Sequence, residues 1–323
     1  MHLALDSHVA ETLHPFQRTL RAPIGCAGVG LHSGRKVSLT LLPAEANQGI
    51  AFRRVDLADR PLIPARWDHV VDTRRNTAVG LRGRHAATVS TVEHLLAALA
   101  GTGVDNAIVE LDGPEVPIMD GSAAPFVFLI ECAGLATQAA PRHVLEVLHP
   151  VHVEEGEASI TVLPDPGVVP AYEMEIDFPS RVIRRQHRCV RLAPGAFKRD
   201  LARARTFGFV EEIAALRDAG LARGGSLDNA VVLHGAKVLN DGGLRYTDEF
   251  VRHKLLDLVG DFALAGAPLR GRVIARRAGH RLNVRALQRL FAEPKAYRVA
   301  PLMPATSSGD SFVTPLRAAA APA

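Results

Sequence analysis

The sequence predicts an α+β protein of two domains. Three observations carry this. The chain has 323 residues, against roughly 100–200 per domain. Strand patterns followed by helix patterns occur twice along it, rather than alternating as in a doubly wound parallel sheet. Hydrophobic residues make up 47% and charged residues 22%, an ordinary globular balance with enough apolar material for two cores.

Taken in order, short strands open the chain at Gln17–Ala22, Lys36–Leu42 and Ile50–Val55, the first two read as flanking a turn near Ser33-Gly34. The first helix is Thr91–Ala100, with Ser90 as candidate N-cap and Gly101 as stop. Ala107–Leu111 reads as a strand, Ala123–Cys132 as a helix capped by Ser122 and ended by Gly134, and Thr137–His143 as a connector. The pattern then restarts with strands near Val144–Val153, Ala158–Leu163 and Tyr172–Phe178. Helices follow at Ala196–Arg203 and Glu211–Ala219, then a strand at Ala230–Leu233. A long helix spans Glu249–Ala265, with strand Arg272–Arg277 and helix Val284–Phe291 after it. The Ala-, Ser- and Pro-rich tail from Thr306 is expected to be disordered.

Composition narrows the function classes. Cys26, Cys132 and Cys189 are odd in number and widely spaced, so neither a disulfide framework nor a Cys-x-x-Cys knuckle follows. Any metal must be held by His and carboxylates. The N-terminus contains Asp6 and Glu11 without a signal-like apolar core, and no run of ~18 apolar residues occurs. The expectation is a cytoplasmic protein with no stable membrane insertion. The net charge of +4 hides a skew: fourteen acidic residues against Arg142 in Gly101–Asp177, then nine basic residues against Asp200 in Arg181–Arg205. Such runs are usually solvated faces, or else a field for an anionic ligand. Nucleic acid is not the expected partner, since no recognised module is present and Trp and Tyr total four.

Three constellations could carry chemistry. On the long helix His253, Asp257 and Asp261 fall at i, i+4 and i+8 and line one face. That stripe is either the solvent face of an amphipathic helix or, through His-x-x-x-Asp, two ligands of one zinc ion. In the first turn of the Thr91 helix, Glu93 and His94 precede an apolar run. Glu93 could close a capping box with Ser90; alternatively His94 binds a metal while Glu93, about 100° round the helix, reaches a water beside it. The turn Ala278–Asn283 carries His280 directly after Gly279, and loop histidines are usually idle.

Seven stretches together resemble the UDP-3-O-acyl-N-acetylglucosamine deacetylase family of lipid A biosynthesis. They are Gly28-Val-Gly-Leu-His32-Ser-Gly, Ser90-Thr-Val-Glu93-His94-Leu-Leu-Ala-Ala-Leu, Pro117-Ile-Met-Asp-Gly-Ser-Ala-Ala-Pro-Phe126, Ala204-Arg-Thr206-Phe207-Gly-Phe209, Gly224-Gly-Ser-Leu-Asp-Asn-Ala230, Asp248-Glu-Phe-Val-Arg-His253-Lys254-Leu-Leu-Asp257 and Gly279-His280-Arg-Leu-Asn283. They run in family order over about residues 15–300. The resemblance implies two similar domains, each a small β-sheet layered against paired helices, with the active site between them. It places the first domain at 15–140 and the second at 141–302 with an acyl-channel insert at about 208–235, leaving flexible tails at 1–14 and 303–323. It implies one zinc ion per chain held by His94, His253 and Asp257, three ligands that leave a position for water.

By the same resemblance Glu93 is the general base, and His280 is the cationic residue that meets the oxyanion and the leaving amine, oriented by Asp261. Thr206 is an oxyanion contact and Lys254 a substrate-binding lysine. Asp177 and Phe178 fit the nucleotide-holding pair. Phe207, Phe209, Ile213, Ala222, Ser226, Ala230 and Val232 fit the channel for the acyl chain; each is equally an ordinary core residue. The implied partner is a small molecule, an acylated UDP-amino sugar, acted on by a monomer. The chain departs from the family at Ala158, where a basic residue is common, and at Arg74 and Arg75, where apolar residues are common. The basic run Arg181, Arg184, Arg185 and Arg188 is a candidate substitute for the missing charge at Ala158. A deacetylase of another acylated or nucleotide sugar, and a non-catalytic sugar-nucleotide binder, are the alternatives.

Overall fold

A computed structural model describes residues 13–302. The expected tails at 1–14 and 303–323, and with them the Thr306 segment, fall almost wholly outside the described residues. Two five-stranded sheets organise the rest. In the first the order is Ile24–Val29, Lys36–Pro43, Ala107–Leu111, Ile50–Arg54, Leu62–Pro64. In the second it is Val151–Glu155, Ala158–Leu163, Arg272–Arg276, Ala171–Asp177, Arg185–Arg191. In both, the strand that comes last in sequence inserts at the centre, antiparallel to one neighbour and parallel to the other.

The helices repeat as well. Helix α1 (Glu93–Thr102) precedes the inserted strand of the first sheet and α2 (Ala124–Ala133) follows it. In the second half α3 (Ala196–Asp200), α4 (Val210–Asp218) and α5 (Glu249–Ala263) come before the inserted strand, and α6 (His280–Phe291) after it. No sequence repeat is visible by eye, yet strand order and parallel pair coincide, and α1 and α5 occupy equivalent places.

Those two helices pack on each other at the centre of the molecule. Leu95, Leu96 and Leu99 of α1 and Leu255, Leu256, Leu258 and Phe262 of α5 are buried. A helix apolar nearly all round must be covered on every side; α1 also packs on α2 and α3. Backbones approach closely at one point: a Cβ on Gly260 would lie 2.0 Å from the Glu93 carbonyl oxygen. Only a residue without a side chain allows that crossing.

Several elements differ from the sequence reading. Ser90 does not cap α1, because its N–H and Oγ both turn to the Pro114 carbonyl and Thr91 has a left-handed φ of 57°. The helix starts at Glu93, runs through Gly101 and ends at Gly103, whose φ of 75° is the left-handed C-cap. Segment 137–143 is no simple connector: Leu135–Pro141 pairs antiparallel with Phe16–Leu20. That strand's register falls 115 to 125 residues away, too far for local pattern to reveal. The Ser33-Gly34 turn joins Ile24–Val29 to Lys36–Pro43, not the first strand to the second as read. Val144–Val153 divides into His143–Val147 and Val151–Glu155, which join different sheets. Helix 196–203 stops at Asp200. Helix 284–291 begins four residues early, at His280, with extended Gly279 at its N-cap.

Candidate metal centre and catalytic cleft

The site forms where the N-terminus of α1 meets the middle of α5. On α5, Glu249, His253, Asp257 and Asp261 follow at four-residue spacing and all are buried, at 0%, 2%, 3% and 0% exposure. Four ionisable groups on a buried face need partners. The amphipathic alternative for this stripe therefore falls away, since it faces inward.

His94 of α1 supplies one partner. Its Nε2 lies 3.5 Å from Asp257 Oδ1, and His253 Nε2 lies 3.3 Å from the same oxygen. The two imidazoles stand nearly perpendicular, with centroids 5.0 Å apart. His253 Nδ1–H donates to the Ala204 carbonyl at 3.1 Å, which leaves Nε2 as the lone-pair atom. Burial, only partly opposed by Asp257, lowers the His253 pKa to about 4. Asp257 Oδ1 is buried without a hydrogen-bond partner. An acceptor oxygen facing imidazole lone pairs, with nothing to satisfy it, is the arrangement a cation completes. The ligand atoms of the three residues all lie within 4.8 Å of one another, and nitrogen and carboxylate donors suit zinc. The donor set fits the implied metal.

The remaining groups surround this triad. Lys254 Nζ donates to Asp257 Oδ2 at 2.6 Å. Burial penalises both charges, but His253 and Lys254 hold the Asp257 carboxyl well below its usual value, and Asp257 holds Lys254 above its own. His280, first residue of α6, directs Nε2 toward Glu93 Oε1 at 3.9 Å and Asp257 Oδ2 at 4.0 Å. Its Nδ1–H donates to Asp261 Oδ2 at 2.9 Å. Burial opposes the imidazolium, yet Asp261 and Glu93 outweigh it and raise the His280 pKa to about 9. Glu93 is raised by burial against the pull of His280 and His94. A carboxyl and an imidazole both raised, side by side in one cleft, could serve as a base–acid pair.

Two residues outside the sequence reading of the site hold this pair. Thr77 N–H donates to Glu93 Oε2 at 3.0 Å, and Thr77 Oγ1 donates to Asp261 Oδ1 at 2.5 Å. Asn283 Nδ2 donates to Asp261 Oδ2 at 2.8 Å. Asn283 closes the Gly279–Asn283 stretch already singled out, one turn after His280; Thr77 comes from a loop and left no signal. Glu93 therefore has no capping role: it is the first helical residue, and its carboxylate points to Thr77.

A cavity of about 450 Å³ opens onto these groups. Glu93, His94, Thr206, Lys254, His253, Asp257, His280, Phe178, Phe207 and Phe209 line it. Asp261 lies behind His280. The three phenylalanines form an aromatic cluster, with Phe178 centred 5.6 Å from Phe207 and 6.3 Å from Phe209. Asp177 is exposed and ion-paired with Arg277, whose own side chain lines the cavity. Ile213, Ala222, Ser226, Ala230 and Val232 lie in the insert but not on the lining. Three members of the basic run are engaged elsewhere: Arg185 pairs with Glu175, Arg188 with Asp248, and Arg184 Nε donates to the Arg181 carbonyl. Arg277 and Arg281 line the cavity together with Ala158, and both are ion-paired, Arg277 with Asp177 and Glu157 and Arg281 with Glu155. At the mouth Arg75 pairs with Glu212 of α4 at 3.1 Å. A larger cavity of about 780 Å³ lies by the C-terminal ends of α1 and α5. There Asp105 already engages the backbone of Arg18 and the guanidinium of Arg142.

A candidate cation site of two imidazoles and a carboxylate, beside a buried carboxyl and a histidine whose pKa is raised, is an arrangement suited to a metal-assisted hydrolase. Residues 17–292 match the UDP-3-O-acyl N-acetylglycosamine deacetylase family, and the chain belongs to that family. It is similar to the UDP-3-O-acyl-N-acetylglucosamine deacetylase of Anaeromyxobacter sp. (strain Fw109-5), 49% identical over 91% of this chain and 93% of that one. The enzyme of the same name from Acidithiobacillus ferrooxidans is 49% identical over 87% and 91% of the two chains. That from Saccharophagus degradans is 45% identical over 94% and 99%.

Proposed function

We propose that this chain removes the N-acetyl group of UDP-3-O-(3-hydroxyacyl)-N-acetylglucosamine, releasing acetate, in the committed step of lipid A biosynthesis. The observation that carries the reading is the unpartnered Asp257 Oδ1 between two imidazoles, set within reach of Glu93 and His280. Zinc, one ion per chain held by His94, His253 and Asp257, would polarise the amide carbonyl and lower the pKa of a water.

The chain's own residues do the rest. Glu93, anchored by the Thr77 N–H, takes a proton from the attacking water. His280, kept cationic by Asp261, stabilises the oxyanion and delivers a proton to the departing nitrogen, so that the C–N bond breaks to amine and acetate. Thr206 adds an oxyanion contact. Lys254 faces the sugar and neutralises Asp257. Phe207 and Phe209 supply the apolar start of the acyl channel, with Phe178 and Asp177 at the nucleotide end. The domains of this reading are 15–140 and 141–302, and the enzyme works as a monomer in the cytoplasm; the free cysteines among the described residues agree with a reducing compartment.

The test is acetate release together with metal analysis on wild type and Glu93→Ala. The expected outcome is zinc in both and turnover lower by about 10²–10⁴ in the variant. Loss of metal with full activity per bound zinc would remove Glu93 from the role given. The Arg75–Glu212 pair across the mouth favours comparison of acyl lengths in the same assay; failure on every UDP-linked substrate points to another acylated sugar.

A further inference from the structure

We infer that Glu249 is a positioning residue for the metal centre, acting through Arg205 on the segment that orients His253; this rests on the metal site proposed above. Glu249 begins α5 one turn before His253 and is fully buried. Its carboxylate accepts four hydrogen bonds. Three come from Arg205: the backbone N–H at 3.0 Å, Nε at 2.9 Å and Nη2 at 3.1 Å. The fourth comes from the Arg245 N–H at 2.6 Å. A carboxylate that grips both the backbone and the guanidinium of one residue fixes that residue's peptide planes, not merely its charge.

Those planes matter because of what flanks Arg205. The Ala204 carbonyl accepts the His253 Nδ1–H, the contact that aims Nε2 at Asp257. On the other side Thr206 lines the cleft, its N–H donating to the Gly121 carbonyl at 2.8 Å. Arg245 Nη1 then ties Asp120, beside Gly121, to the Arg203 carbonyl. The 203–206 segment is thus held between α5 and the 117–123 loop of the first half. Burial alone would raise the Glu249 carboxyl; Arg205 and the two backbone donors hold it below its usual value instead, so the ion pair is retained in the folded protein. An outer partner that orients a ligating imidazole typically changes metal affinity by about 10–100-fold when removed.

The experiment measures zinc affinity by chelator competition, and the visible spectrum of the cobalt-loaded protein, for wild type, Glu249→Gln and Arg205→Lys. Arg205→Lys keeps the charge and loses the fork, which provides a milder variant. A remote control, Gln17→Ala, disrupts the amide cluster in which buried Gln17 joins exposed Asn47 and buried Asn106, far along the chain from α5. The expected result is zinc affinity weakened about 10–100-fold in Glu249→Gln and less in Arg205→Lys. The cobalt spectrum should shift in both, while the control keeps wild-type affinity and spectrum. Unchanged affinity and spectrum in both site variants overturn the inference, as does an equal loss in the control. Wild-type protein that binds neither zinc nor cobalt overturns the metal reading itself.

Discussion

Asp261 makes no contact with the triad's central oxygen, yet three donors converge on it: Thr77, His280 and Asn283. Its charge is what keeps His280 protonated against burial, so the consequence is a pH effect. The proposed roles require Glu93 ionised and His280 protonated. The rate should rise through an acid limb above the ordinary glutamate value and fall through an alkaline limb near pH 9. In Asp261→Asn the imidazolium loses its chief support, and the alkaline limb of kcat/KM should move to lower pH. A limb that stays in place would remove Asp261 from this role. Thr77→Val keeps the Glu93 contact, which comes from the backbone, and deletes the hydroxyl on Asp261. It should lower activity less than Asp261→Asn and, because the Asp261 charge is retained, should not move the alkaline limb to lower pH. At this scale the sequence showed the groups of extreme chemistry. His253, Asp257 and Asp261 declare themselves by spacing, and Glu93 and His94 by interrupting an apolar helix. Thr77 could not be seen, because a threonine in an irregular loop carries no period and its partners lie 16 and 184 residues away.

Among the elements, α1 and α5 decide whether the site exists, and Gly260 decides how near they come. A methyl group there meets the Glu93 backbone, which cannot rotate away as a side chain would. Gly260→Ala should destabilise the fold by about 1–3 kcal/mol, the usual scale of overpacking. It should also reduce turnover more than that loss alone explains, because the displaced residue is the proposed base. Thermal melting and kcat measured together check this; a variant with normal kcat and a lower Tm would confine Gly260 to packing. Helix α5 was legible nearly to the residue because its period is unbroken. The start of α1 was not: Ser90 is a good cap in isolation, but the Pro114 carbonyl claims its donors and Glu115 claims Thr91. Helix α6 hid its first turn behind Gly279, which reads as a loop residue and serves as the N-cap. Edge strands such as Arg185–Arg191 were missed because their long charged side chains obscure the alternation and pair across the sheet.

At the scale of the whole molecule, the proposed ligands come from both halves, so an ion bound there would join them. Metal binding only the folded state should stabilise by about 4 kcal/mol at a thousand times its Kd. Stripping the metal should lower Tm, and Tm should climb with the logarithm of added zinc; a Tm indifferent to zinc would count against a bridging ion. In the apoprotein, His280 contributes stability that is complete below its ordinary pKa of 6.5 and lost as pH rises toward about 9. Asp257 has the opposite sign: its contribution is present above the usual 3.8 and lost as pH falls below it. Apoprotein Tm should therefore decline on both flanks, which a pH series in chelator would show. The repeated architecture was legible as two rounds of strands and helices; the matching strand order was not, since central insertion of the last strand is a long-range pairing. The crossing of α1 and α5 finally imposes a schedule on synthesis. Asp257 follows His94 by about 160 residues, roughly 10–30 s at ordinary elongation rates. Throughout that interval Leu95, Leu96 and Leu99 have no α5 to cover them. The nascent first half carries that uncovered apolar face until α5 emerges, and the catalytic centre is among the last parts of the enzyme to come into being.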